Sequence, residues 1–275
     1  MVRSLWTAAS GMLAQQTNVD TIANNLANVS TTGYKTQQNQ FKSLLYQNLQ
    51  TKTTSNNGET KPTGAQVGLG VRSAAIQSIF TDGSFLETGN LTDFALSGDG
   101  FFAIKNEQGG LEYTRNGNFY WAMNTNGGVI LTNSNGNPVQ SSTGTNITLP
   151  ATYQTSRVTI TQDGQLLYPN EKNVPMPIQG NIRIGIYQFR NPTGLDKEGE
   201  SNYSATAASG PAINEATMPN NYKRSTMVQG YLEGSNVQVA NEMVNLITAQ
   251  RAYELNSRAI TTTDNMMQQA NNLRQ

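Results

Sequence analysis

Cysteine and histidine are both missing from the 275 residues. Without cysteine there is no disulfide or thiol chemistry, and without either residue the usual ligands of zinc, iron and copper are gone. Losing histidine also removes the commonest general base near neutral pH, so an enzyme would depend on carboxylates, lysine, tyrosine or serine. The composition therefore reads as a protein that is not an enzyme and holds no metal or cofactor. Charge is scarce as well: 13% of residues are charged, 18 basic against 18 acidic, for a formal net charge of zero. Such a balance lacks the basic footprint of a nucleic-acid binder, and no run of like charge forms a tail. No apolar run approaches the roughly 20 residues of a membrane-spanning helix. The opening MVRSLWTAASGMLAQQ has no continuous apolar centre, so it does not read as a cleavable secretory signal. These absences point to a soluble chain without a conventional export tag.

What is present falls into helical ends and a β middle. From Leu5 the apolar residues recur by sevens at Leu5, Met12, Val19 and Leu26, with Ala8, Ile22 and Val29 on a second seam position. The far end repeats the pattern at Val239, Leu246, Tyr253, Ile260 and Met267, and Met243 and Ile247 widen the stripe. Seven-residue spacing predicts a coiled-coil seam, and the simplest pairing is of one end with the other. The expected fold class is thus α+β: long N- and C-terminal helices paired as a coiled coil, with a mainly β domain inserted between them. Expected boundaries are 1–49 and 229–275 for the helical part, 50–70 for an extended linker, and 71–228 for the β-rich domain. Phe41–Leu49 is expected to extend the first helix or form a short second one.

Both ends are crowded with amides, among them Asn24, Asn25, Asn28, Asn241, Asn245 and Gln250. Asparagine competes for nearby backbone groups and so is a mediocre helix former. A helix so built is weak alone and gains its stability from packing. Amides both donate and accept, which suits a surface buried against copies of itself. In the middle, six Asp-Gly or Asn-Gly pairs between Asp82 and Gly164 mark tight turns between short β-prone runs such as FFAI (101–104) and IRIGIYQF (182–189). These pairs lack the spacing of a calcium loop. Asp82, Asp93 and Asp99 could be imagined as an acidic site, but each sits beside a turn residue and is read as a turn former.

Several blocks resemble a known family. SLWTAASGMLAQQTNVDTIANNLANVSTTGYK (4–35), LTDFALSGDGFFAI (91–104), YTRNGNF (113–119) and YLEGSNVQVANEMVNLITAQRAYELNSRAI (231–260) are similar, in order, to the bacterial flagellar rod and hook axial proteins. Within that family the length and FRNPTGLDKEGESNYSATAASG (189–210) are most like the distal-rod type. The resemblance implies a subunit of a hollow helical drive shaft in the basal body, which transmits torque from motor to hook and encloses the export channel. It implies export by the flagellar type III apparatus without a cleaved signal, and a place in the cell envelope outside the cytoplasmic membrane. The implied partners are copies of itself, proximal rod proteins, hook or junction proteins and the export apparatus, with ring bushing proteins as a further candidate and no nucleic acid. Expected subunit contacts are Leu5, Met12, Val19, Ile22, Leu26, Asn25, Asn28, Val239, Met243, Leu246, Gln250, Arg251, Tyr253, Ile260 and Met267, with Thr51, Thr54, Asn57 and Pro62 as linker contacts. Alternatives are a proximal rod or other axial subunit and, from a second class, an extracellular fibre or adhesin suggested by the Thr/Asn-rich β middle.

Overall fold

Residues 2–27 hold the helix formers Leu, Ala, Met and Gln, without proline, and form helix α1, Val2–Ala27. Its threonines turn their hydroxyls back onto the preceding turn, as Thr21 Oγ1 does to the Thr17 carbonyl at 2.8 Å. Residues 239–272 contain neither glycine nor proline and form helix α2, Val239–Asn272. The computed structural model describes residues 2–50, 64–124, 127–170, 174–178, 180–219 and 223–273. The chain divides into two compact units, one of residues 1–27, 37–78 and 238–275, the other of residues 28–36 and 79–237.

In the first unit, α1 and α2 pack against each other beside a long antiparallel ribbon. Strand β1 (Gln37–Ser43) and strand β2 (Tyr46–Gln50) run out; β3 (Ala65–Gly68) and β4 (Val71–Ser78) run back. β1 pairs with β4 from Gln37↔Ser78 to Ser43↔Val71, and β2 pairs with β3 from Tyr46↔Gly68 to Gln50↔Ala65. Gly70 (φ +115°) sits where the ribbon touches α1: a Cβ there would lie 2.1 Å from Ser10 Oγ, which accepts the Val71 N–H at 3.3 Å.

Two expectations are corrected here. Phe41–Leu49 is not helix: it spans the end of β1, the step at Leu44 and Leu45, and most of β2, so the β structure begins at Gln37. The helices also do not form the expected coiled coil. The buried positions of α1 are Ala8, Gly11, Ala14, Thr21, Ile22 and Asn25, and those of α2 are Glu242, Ala249 and Thr263, mostly small or polar. By contrast Val239 and Tyr253, on the predicted seam, are each 41% exposed. A seven-residue apolar repeat does not by itself decide which face meets a partner. Here a small-residue face does, and a Cβ on Gly11 would come within 2.8 Å of the Asn256 amide.

The second unit is β. Its largest sheet has six strands in the order Asp196–Gly199, Asn202–Ser204, Leu111–Thr114, Phe101–Lys105, Ile186–Gln188, Ile213–Asn214. Phe101–Lys105 is central and buried on both faces. Phe102 and Ile104 enter one hydrophobic cluster with Phe94, Phe119 and Leu131, while Phe101 and Ala103 enter a second with Tyr113, Phe189 and Tyr203. Glycines of the Asp-Gly and Asn-Gly pairs divide by role. Gly127, Gly136 and Gly164 have positive φ in turns, whereas Gly83, Gly100 and Gly117 do not and lie against other atoms.

Candidate assembly surfaces

In the first unit the seam residues differ sharply in accessibility. Leu5, Met12, Val19, Leu26, Leu246, Ile260 and Met267 are half-buried; Ile22 and Asn25 are buried; Val239, Met243, Gln250, Arg251 and Tyr253 are exposed. Asn28 is half-buried and belongs to the second unit, where Thr31 Oγ1 donates to its Oδ1 at 3.1 Å. Thr51, Thr54, Asn57 and Pro62 lie outside the described residues.

Asn25 explains why an amide stands in a helix. Its Nδ2 donates to the Gln37 carbonyl at 2.8 Å, and its Oδ1 accepts the Gln37 N–H at 2.9 Å. The side-chain amide thus pairs with the first residue of β1 as a neighbouring strand would, satisfying two backbone groups at once. Nδ2 also reaches Glu242 Oε2 of α2 at 3.4 Å, so one residue joins both helices and the ribbon.

The surface facing away from this packing is apolar to an unusual degree. On α2, Val244, Ile247 and Leu255 are exposed and alternate with Arg251 and Arg258 at spacings of three and four, which places all five on one side of the helix. Leu255 is 65% exposed, and on α1 Trp6 is 71% and Leu13 67% exposed. Leu45, Tyr46 and Leu49 are exposed on the ribbon. Groups of large exposed apolar side chains mark interaction surfaces. Sequence reasoning singled out Ile247 but not Trp6, Leu13, Val244 or Leu255. They fall off the heptad, although their three- and four-residue spacing on α2 is a readable signal.

The second unit holds a buried charge cluster that sequence reasoning missed. Lys35 Nζ lies 2.6 Å from Glu233 Oε1, with both side chains fully shielded, and also donates to the Thr81 carbonyl at 2.7 Å. Glu233 Oε1 also accepts the Gly83 N–H at 3.0 Å. Arg115 donates to Asp82 Oδ1 at 2.7 Å and to the Gly98 and Gly100 carbonyls at 2.6 Å. Its Nε stands 3.0 Å from Glu233 Oε2 in an ion pair whose angles are not those of a hydrogen bond. Burial, and then the nearby Arg115, hold the Lys35 ammonium below the usual lysine range. Asp82, read from sequence as a turn former, is thus a partner of Arg115. Among the described residues no group of three or more acidic side chains is placed to hold a metal, and no helix is long and apolar enough to cross a membrane.

Two helices that leave apolar faces uncovered, with a β body between them in sequence, describe a subunit built for assembly. Family models agree on the class. A "Flagella basal body rod protein" model matches residues 5–35, a "Flagellar hook protein FlgE/F/G D1 domain" model matches 95–168, and a "Flagellar basal body rod FlgEFG protein C-terminal" model matches 228–273. The chain is 44% identical to the flagellar basal-body rod protein FlgG of Borreliella burgdorferi, across 100% of this chain and 99% of that one. It is 40% identical to FlgG of Agrobacterium fabrum over 96% and 97% of the two chains, and 35% identical to FlgG of Bacillus subtilis over the whole of both. The chain belongs to the flagellar basal-body rod protein family.

Proposed function

We propose that this chain is the repeating subunit of the distal rod, polymerising into a hollow helical shaft that carries torque from motor to hook and encloses the export channel. The observation that carries this reading is full-length similarity to rod proteins combined with uncovered apolar faces on both terminal helices. In this reading the exposed residues Trp6, Leu13, Val239, Met243, Val244, Ile247, Gln250, Arg251, Tyr253 and Leu255 meet neighbouring copies. Half-buried Leu5, Met12, Val19, Leu26, Leu246, Ile260 and Met267 line the edge of the same contact. Contacts between unlike patches propagate a helical filament when the rotation from copy to copy does not close a ring. Partners at the two ends are proximal rod proteins and the hook or its junction proteins. The subunit reaches its place outside the cytoplasmic membrane through the flagellar type III apparatus.

The test is to place Asp at Leu255, where the side chain is largely in solvent in the single chain. Leu255→Asp leaves the monomer folded by circular dichroism and abolishes rods in electron micrographs of isolated basal bodies. Normal rods from that variant would show that the outer face of α2 is not a subunit contact.

A further inference from the structure

Residues 28–36 belong to the second unit, yet they are joined to it almost wholly by polar contacts. None of them enters either hydrophobic cluster. The Gly33 N–H donates to the Glu233 carbonyl at 2.8 Å, and Thr32 Oγ1 donates to Asn116 Oδ1 at 3.0 Å. Asn236 Oδ1 accepts both the N–H and the hydroxyl of Thr36 at 2.7 Å, while its Nδ2 donates to the Ile79 carbonyl at 2.8 Å. The Ile79 N–H in turn donates to the Thr36 carbonyl at 2.8 Å. Lys35 supplies the single charge, inserted against Glu233. Tyr34 adds a buried ring under the Lys197 ammonium, 5.8 Å from the ring centre. Gly33 (φ +69°) lets the segment lie flush on the body, since a Cβ there would meet the Asn116 nitrogen at 2.6 Å.

Without the segment the body keeps two carboxylates, Glu233 and Asp82, against one guanidinium, Arg115, and the excess charge rests where water reaches it. Withdrawing Lys35 leaves Glu233 paired with Arg115, and Arg115 still bonded to Asp82, whose side chain is 38% exposed and solvated. Ordinarily, removing one member of a buried pair strands a charge. Here the remaining pair is already made, and the departing ammonium regains water.

We propose that residues 28–36 are a latch: a strap that opens and closes on the β body as one unit, locked by Lys35 on Glu233 and by Asn236, while the body's core stays folded. Opening frees nine residues, 28–36, or up to about 30 Å of extended chain. The freed segment is a loop that leaves the first unit at Ala27 and rejoins it at Gln37.

Hydrogen exchange on the full-length protein tests this. In the unmodified chain the amides of Gly33, Thr36 and Ile79 should exchange at least about tenfold faster than those of Phe102, Ala103 and Ile104, after correction for intrinsic rates. In Lys35→Gln the strap amides should speed up by a further ten- to a hundredfold, roughly the worth of one charge-assisted bond, and should keep their lead over Phe102–Ile104, since that bond is absent from the strap-open and the unfolded states alike. Equal rates for strap and core in the unmodified chain would overturn the proposal, whatever the variant does. So would a Lys35→Gln variant whose strap amides do not speed up, or whose strap amides lose their lead over the core.

Discussion

The Asn25 side chain grips both backbone groups of Gln37, at 2.8 and 2.9 Å, in the manner of one β-strand residue holding another. Asn25→Ala leaves two backbone groups without partners and should destabilise the first unit by about 2 kcal/mol or more. Asn25→Asp keeps the bond from the Gln37 N–H but sets a second carboxylate against Glu242, the partner of Nδ2 at 3.4 Å. It should be the worse variant at neutral pH, and the gap should narrow in acid buffer as one carboxyl takes up a proton. Thermal unfolding followed by helical circular dichroism at pH 7 and pH 4.5 checks the order. An aspartate variant as stable as the unmodified protein at pH 7 would show that the clamp is not needed.

Two Asn-Gly pairs that look alike in sequence should respond differently to a methyl group. A Cβ on Gly117 would lie 1.7 Å from the Phe94 carbonyl oxygen, a backbone atom in the core. Gly117→Ala should therefore cost about 3 kcal/mol or more. Gly136 has φ +85° and open space around its missing Cβ, so Gly136→Ala should cost only about 1 kcal/mol of backbone strain. Urea unfolding of the two variants measures the difference; equal midpoints would contradict it.

The contrast shows where the sequence was legible. Turn chemistry identifies the glycine pairs, but only the long-range approach of Phe94 separates a close contact from a turn. FFAI at 101–104 was readable as strand because its aromatic and β-branched residues favour a pleated, buried surface. QQNQFKSLLYQNLQ, residues 37–50, was not, because its ribbon is largely exposed and no core face imprints alternation on it. Leucine and glutamine there favour helix locally, and pairing with β3 and β4 overrides them. The Lys35–Glu233–Arg115 cluster was invisible for another reason: its members stand 198 and 118 residues apart along the chain. Periodicity revealed both helices, but not which face of each packs within the chain.

Alkaline stability should follow the buried phenols. Burial raises Tyr203, Tyr187 and Tyr113 above the ordinary tyrosine value, with Tyr187 adding to the effect on Tyr113. Unfolding returns them to about 10, so their contribution is complete below that pH and is lost as pH climbs towards the raised values. Lys35, held low, acts in the opposite sense: its contribution grows with pH and levels off near the ordinary lysine value of about 10.4. Above about pH 10.5 the phenols alone set the slope. Melting temperatures should fall there, and less steeply in Tyr203→Phe. Identical slopes for the two proteins would refute this assignment.

The ribbon's exposed leucines should matter to the polymer and not to the monomer. Leu45 and Leu49 both face solvent, so replacing both with serine should leave the melting temperature within about 1–2 °C, as surface changes do. If the ribbon lies on a neighbouring copy, the same double variant forms rods that shorten or break during isolation. A large loss of monomer stability would mean instead that these side chains pack within the chain.

The central claim, that this chain builds the distal rod, is tested most directly by electron microscopy of basal bodies from the source bacterium with the gene deleted. The account predicts rods that end short of the distal segment and carry no hook, with full length and hooks restored by the intact gene. Complete rods bearing hooks in the deletion strain would contradict it.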